Sequence, residues 1–190
     1  MEQQKIICYG DSNTWGYDGA AVFGGRLPAE SRWTDQLAAL TGLAVINLGL
    51  NGRQVPRYPR SMELDRDLIL RHGPCRELIV MLGSNDIMCG RTPEETAESM
   101  DRFLALVREA LPDCGVLLLA PPAVRGFGAD CEEAFRELAD RYEALAETRG
   151  AAFADTERWR IETGGDGLHF SPRGHRIFAV KLAQLLRALL

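Results

Sequence analysis

Short apolar runs alternate with longer amphipathic segments along the whole chain, and this alternation restricts the folds open to it. Residues 6–9, 45–48, 78–82, 116–120 and 152–154 are brief stretches dominated by Ile, Val, Leu and Ala. Runs this short and this apolar suit strands buried on both faces. Between them the apolar period changes to three and four. Thr92-Pro93-Glu94-Glu95 supplies an N-cap threonine, a proline at the first helical position and a capping-box glutamate. Ala97, Met100, Leu104, Val107 and Leu111 then fall on one helix face. Phe135, Leu138, Tyr142 and Leu145 repeat the pattern, and Gly150 is placed to end that helix. Ser171-Pro172 opens a last helix with Phe178, Leu182, Leu185 and Leu189 expected on its buried side. Shorter helices are expected over 33–40 and 62–71. Strands alternating with helices imply parallel pairing through right-handed crossovers. The expected fold is therefore α/β: a three-layer α/β/α sandwich around a five-stranded parallel sheet of flavodoxin-like topology. At 190 residues the chain fits one domain, 1–190, with no repeat or linker.

Composition narrows the function classes. The net charge of -5 gives no support for nucleic-acid binding, which draws on a basic face. No apolar run approaches the roughly 20 residues of a membrane-spanning helix. Met1-Glu2-Gln3-Gln4-Lys5 enters a short apolar run at once, unlike a signal peptide, so a cytoplasmic location is expected. The five cysteines, Cys8, Cys75, Cys89, Cys114 and Cys131, are odd in number and none are at CxxC spacing. Free thiols are expected, with no zinc site or disulfide framework.

In open parallel sheets, ligands bind outside the carboxyl ends of the strands. Four such ends carry polar residues. The first run leads into Gly10-Asp11-Ser12-Asn13-Thr14-Trp15-Gly16, where Ser12 suits either a nucleophile or a helix cap. The second leads into Gly49-Leu50-Asn51-Gly52-Arg53, a tight turn or a place where ligand approaches backbone N–H groups. The third leads into Gly83-Ser84-Asn85-Asp86, where Asn85 offers an amide donor for a developing oxyanion or an Asx-turn. After the fifth comes Asp166-Gly167-Leu168-His169, a carboxylate and an imidazole close enough in sequence to meet locally. Such a carboxylate can hold Nδ1–H and leave Nε2 free to take a proton from a serine. Of the other histidines, His72 reads as an exposed helix end and His175 as a packing or capping residue of the last helix.

These four blocks, in this order, resemble those of the SGNH (GDSL-type) serine hydrolases, and the resemblance runs from about residue 5 to the C-terminus. It implies Ser12 as nucleophile, His169 as general base and Asp166 as its orienting acid. It also implies an oxyanion hole made by the backbone N–H groups of Ser12 and Gly52 and the side-chain amide of Asn85. Gly-Asp-Ser-x-Thr-x-Gly followed by Arg32-Trp33 is most similar to the aryl esterase and acyltransferase branch. The expected function is a serine esterase acting on short-chain or aryl carboxylic esters, or on O-acetyl groups of sugars, without metal or organic cofactor. The long 17–33 stretch, with Phe23 and Leu27, is expected to overhang the site together with Trp15 and residues 51–60, or to form a contact in a homo-oligomer. Residues 121–129 are expected on the other side. Trp15 and Trp33 are candidates for stacking on an aryl or sugar ring, or for packing. No strongly apolar loop suggests a lipid interface. Two other readings stay open: an acyltransferase using the same site, and a non-catalytic binding module on the same fold. A general α/β-hydrolase fits poorly, because its G-x-S-x-G turn would need glycine where Thr14 stands.

Overall fold

The computed structural model describes residues 5–21 and 23–189. Residues 1–4, on which the signal-peptide reading rests, lie outside it, as do Val22 and Leu190. Five strands form one sheet: β1 (Lys5–Gly10), β2 (Ala44–Gly49), β3 (Glu77–Met81), β4 (Gly115–Ala120) and β5 (Ala152–Asp155). Their order is β2-β1-β3-β4-β5 and all four pairings are parallel. Seven helices connect and follow them: α1 (Ser12–Trp15), α2 (Trp33–Thr41), α3 (Pro59–Leu70), α4 (Ser84–Met88), α5 (Pro93–Ala110), α6 (Ala129–Arg149) and α7 (Pro172–Leu189).

The period-two alternation of each strand divides the core into two layers. Ile7, Tyr9, Leu78, Val80, Val116 and Leu118 face α3, α5 and α6, where Met62, Phe103, Leu104, Phe135 and Leu138 meet them. Ile6, Cys8, Ile79, Met81, Leu117 and Leu119 face α2 and α7, against Trp33, Leu37, Phe178 and Leu182. This is the expected α/β/α sandwich. The outer strands β2 and β5 are only half-buried along their length, because each has a neighbour on one side.

Local signals behave as their chemistry requires. Thr92 caps α5 by accepting from the Glu95 N–H, and the Glu95 side chain accepts from the Thr92 N–H in return. Gly150 ends α6 in the left-handed conformation. Two helix readings shift. The buried face of α7 runs through Phe178, Ala179, Leu182, Ala183 and Leu186, whereas Leu189 is exposed and Leu185 half-buried. The expected residues keep the helical period, but the buried face is centred between Phe178 and Ala183, so Leu185 falls at its edge and Leu189 lies in the exposed last turn. Residues 84–88, where Asn85 is expected as an oxyanion donor or an Asx-turn, form the short helix α4. His72 is half-buried rather than exposed, and its carbonyl accepts from Lys5 Nζ.

Gly10 and Gly49 stand opposite each other at the ends of β1 and β2. A Cβ on Gly49 would lie 2.1 Å from the Trp15 backbone nitrogen, and one on Gly10 would lie 2.1 Å from Thr14 Oγ1. Only glycine lets α1 close down on these strand ends, and α1 begins with Ser12. The order 2-1-3-4-5 reverses direction between β1 and β3, the usual place for a ligand crevice.

Candidate active site

Asp11 caps α1: its Oδ1 accepts the Asn13 N–H at 2.9 Å. Ser12 is then the first helical residue, so its own N–H has no partner within the helix. Its side chain lies 3.0 Å, Oγ to Nε2, from the ring of His169. Nδ1 of His169 lies 2.7 Å from Asp166 Oδ2, while Asp166 Oδ1 accepts the N–H groups of Leu168 and His169, each at 3.0 Å. Burial raises the Asp166 carboxyl, but the His169 ring, those two backbone bonds and the imidazole charge outweigh it and hold the group below the ordinary carboxylate range. A carboxylate so held fixes the ring with Nε2 turned to the serine.

The turn bearing this pair folds on itself, with Gly164 N–H donating to the His169 carbonyl at 2.7 Å and Gly167 N–H to that of Gly164 at 3.1 Å. It is then fastened to the helix that carries Ser12. Asn13 Nδ2 donates to the Leu168 carbonyl at 3.3 Å and Asn13 Oδ1 accepts the Phe170 N–H at 2.9 Å. The residue after Ser12 thus grips both neighbours of His169. Sequence reasoning passed over Asn13; the only available signal was its place beside the serine, since its partners lie about 155 positions away.

On the opposite side, Gly52 turns the chain after β2 with φ of +72°, where a side chain would be strained. Asn85, at the start of α4, donates from Nδ2 to the Arg53 carbonyl at 3.0 Å. Gln54 Nε2 donates to the Asn85 backbone carbonyl at 3.4 Å. The next residue, Asp86, is fully buried; its Oδ2 accepts the Val55 N–H at 3.0 Å and its Oδ1 pairs with Arg91. Burial pushes the Asp86 carboxyl up despite those bonds. Burial likewise raises Asp11, to about 6.

Of the 17–33 stretch, Tyr17 and Gly19 lie against the site. Tyr17 and Arg26 pair as a short antiparallel bridge. The Tyr17 ring stacks on His169 with centroids 4.4 Å apart, and Gly19 fits so closely that a Cβ there would come within 2.5 Å of Asp166 Oδ2. Leu27 is buried and Phe23 fully exposed. Residues 121–129 touch the Asp166 turn from outside, Arg125 N–H donating to the Gly167 carbonyl at 3.1 Å. Trp15 is half-buried with the Arg26 guanidinium 5.3 Å from its ring centre. Trp33 corrects the stacking expectation. It is 1% exposed, its Nε1 donates to the Asn13 carbonyl at 2.9 Å, and it packs on Phe178. An indole enclosed in that way offers no face to a substrate. His175 is buried too, its Nδ1 accepting the Trp33 N–H at 3.3 Å, so it packs and does not face the serine. All five cysteines are free.

Residues 8–177 match the family model of the GDSL-like lipase/acylhydrolases, and the chain belongs to that family. It is a carboxylic ester hydrolase, by that match and by its solved relatives. A carbohydrate acetylesterase from Sinorhizobium meliloti superposes with a TM-score of 0.87 at 28% identity, covering 98% of this chain and all of that one. An aryl esterase from M. smegmatis superposes at 0.82 with 31% identity, again covering 98% of this chain and all of that one. A curated protein of Ruegeria sp. (strain TM1040), tRNA-2-methylthio-N(6)-dimethylallyladenosine synthase, is 31% identical over 139 residues, 70% of this chain. That match spans only 29% of the Ruegeria protein. Among the described residues no helix is long and apolar enough to cross a membrane.

Proposed function

We propose that this chain is a serine esterase that cleaves short-chain or aryl esters, acetyl groups on sugars among them, through an acyl-enzyme on Ser12. The observation that carries the reading is the continuous line Ser12 Oγ, His169 Nε2, His169 Nδ1, Asp166 Oδ2, with contacts of 3.0 and 2.7 Å. His169 accepts the Ser12 proton as Oγ attacks the ester carbonyl. The oxyanion is met by the N–H groups of Ser12 and Gly52 and by the Asn85 amide. The alcohol leaves with the proton from His169; water, activated by the same ring, then releases the acid.

The substrate class draws on two supports. The named activities of the two structural relatives are carbohydrate acetylesterase and aryl esterase. Two aromatic rings stand beside the base, Tyr17 4.4 Å from the His169 ring and the half-buried Trp15 6.4 Å from Tyr17, which favours an aryl or sugar leaving group there. A hydrolysis screen tests this, with acyl chains from acetyl to decanoyl and with phenyl, alkyl and sugar alcohols, and His169→Ala as blank. The expected result is the highest kcat/KM for acetyl or propionyl esters of phenols or sugars. Preference for long acyl chains would refute the substrate class while leaving the serine mechanism in place.

A further inference from the structure

Arg53 occupies an unusual position for a cation. Its side chain is only 8% exposed, and the guanidinium carbon stands 4.3 Å from the centre of the Tyr9 ring. Nη1 donates to the carbonyl of Gly10 at 3.1 Å and to that of Leu48, while Nη2 lies 4.0 Å from Asp65 Oδ1. These are the carbonyls at the ends of β1 and β2, the strands that lead into Ser12 and Gly52. The residue's own carbonyl accepts Asn85 Nδ2 at 3.0 Å. A planar amide with one N–H so engaged has its second N–H fixed in the same plane. All three groups assigned above to the oxyanion hole are therefore tied to one residue: two through the strand ends that its side chain bridges, and Asn85 through its backbone.

From this convergence we infer that Arg53 is a positioning residue that sets the register of the oxyanion donors. The inference rests on the serine esterase reading of the site. The physical reason for arginine is specific. Its rigid fork spans two carbonyls and a carboxylate while its flat face lies on an aromatic ring, whereas lysine presents one compact charge on a flexible stem. Arg53→Lys keeps the charge and loses the geometry. A displacement of the donors on the order of 1 Å is enough to cost up to about 10²-fold in rate. The loss falls on the transition state, where the oxyanion forms, and not on ground-state binding.

The test is a double-mutant cycle on p-nitrophenyl acetate with wild type, Arg53→Lys, Asn85→Ala and the double variant, each checked by circular dichroism and thermal unfolding. The expected result is a folded Arg53→Lys with kcat down roughly 10- to 100-fold and KM changed less than about threefold. In the Asn85→Ala background the same substitution should cost clearly less, because a donor that is gone cannot be misplaced. Equal losses in both backgrounds would make Arg53 independent of Asn85 and overturn the inference, as would an unchanged kcat. Failure of Arg53→Lys to fold would also overturn it, by making Arg53 a stability residue first. Ser12→Ala serves as a separate control: if it retains turnover, the reading of the site itself fails, whatever Arg53 does.

Discussion

On the His169 side the acid and base are close in sequence and one distant side chain fastens their turn, whereas on the Asn85 side each hydrogen bond joins separate segments. Asp166 and His169 sit three positions apart on one self-bonded turn, a third of the Asp166 side chain open to solvent. The oxyanion side gathers donors from three strand ends. Its groups are registered by Arg53 and by the buried Asp86–Arg91 pair, across separations of about 30 to 45 residues. The base is thus built by a short loop and then fastened by one side chain, Asn13. The oxyanion wall is built by the sheet and depends on buried charge. The difference implies that the base side fails by loss of a chemical group, and the oxyanion side by small displacement.

The largest effect expected is on the base itself. His169→Ala should lower kcat by about 10⁴-fold or more, with little change in the thermal midpoint, because the ring is a part-exposed group on a turn. A variant that also melted early would show that the imidazole holds the turn together as well as acting as the base. Next comes Asn85→Ala, expected to cost roughly 10²–10³ in kcat with KM nearly constant. A loss confined to KM would make the amide a substrate contact.

Asn13→Ala sharpens the contrast, because Asn13 is the staple of the base side. It should lower kcat by about 10-fold and stability by roughly 1–3 kcal/mol, as the Leu168 carbonyl and Phe170 N–H lose their partner. Urea unfolding and steady-state kinetics measure both. Unchanged kinetics would show that the turn holds His169 without help.

The smallest net effect in the intact protein is in the pH dependence of stability, where two buried groups oppose each other. Burial, with the charge of His169 behind it, pushes His175 from 6.5 down to about 4. Its folded value is depressed, so its stabilising contribution is present above pH 6.5 and is lost as pH falls toward 4. Asp11 moves the other way, from 3.8 up to about 6. Its contribution is full below pH 3.8 and is lost as pH rises through 6. Each swing is on the order of 3 kcal/mol. Between pH 4 and 6.5 the two should largely cancel. Asp11→Asn should therefore steepen acid destabilisation, and His175→Gln should flatten or reverse it. Parallel profiles for the two variants, by thermal unfolding from about pH 4 to 7, would show that the opposition is absent.

Much of this architecture is readable from residue patterns, for identifiable reasons. The strands stand out because interior strands of a parallel sheet must be apolar on both faces. Helices α5 and α6 stand out because Thr92, Pro93, Glu95 and Gly150 act within a turn of where they sit. Asp166 and His169 are visible as a pair because they are neighbours. Asn13, Arg53, Asp86 and Tyr17 give no comparable signal. Their meaning lies in contacts made after the sheet has brought distant segments together, and the same residue types are common on ordinary surfaces. Trp33 is the converse case, open in the sequence to either stacking or packing. An indole near a catalytic motif suggests stacking on a ligand, but the packing of α2 on α7 encloses it.

The central claim is that Ser12 carries the acyl group. Rapid quenching of wild type and Ser12→Ala during turnover of p-nitrophenyl acetate, followed by peptide mass spectrometry, addresses it directly. The account predicts one acetyl group on the peptide containing Ser12 in the wild type and none in the variant, whose turnover is lost. Continued hydrolysis by the variant, or an acetyl group found only on another residue, would contradict it.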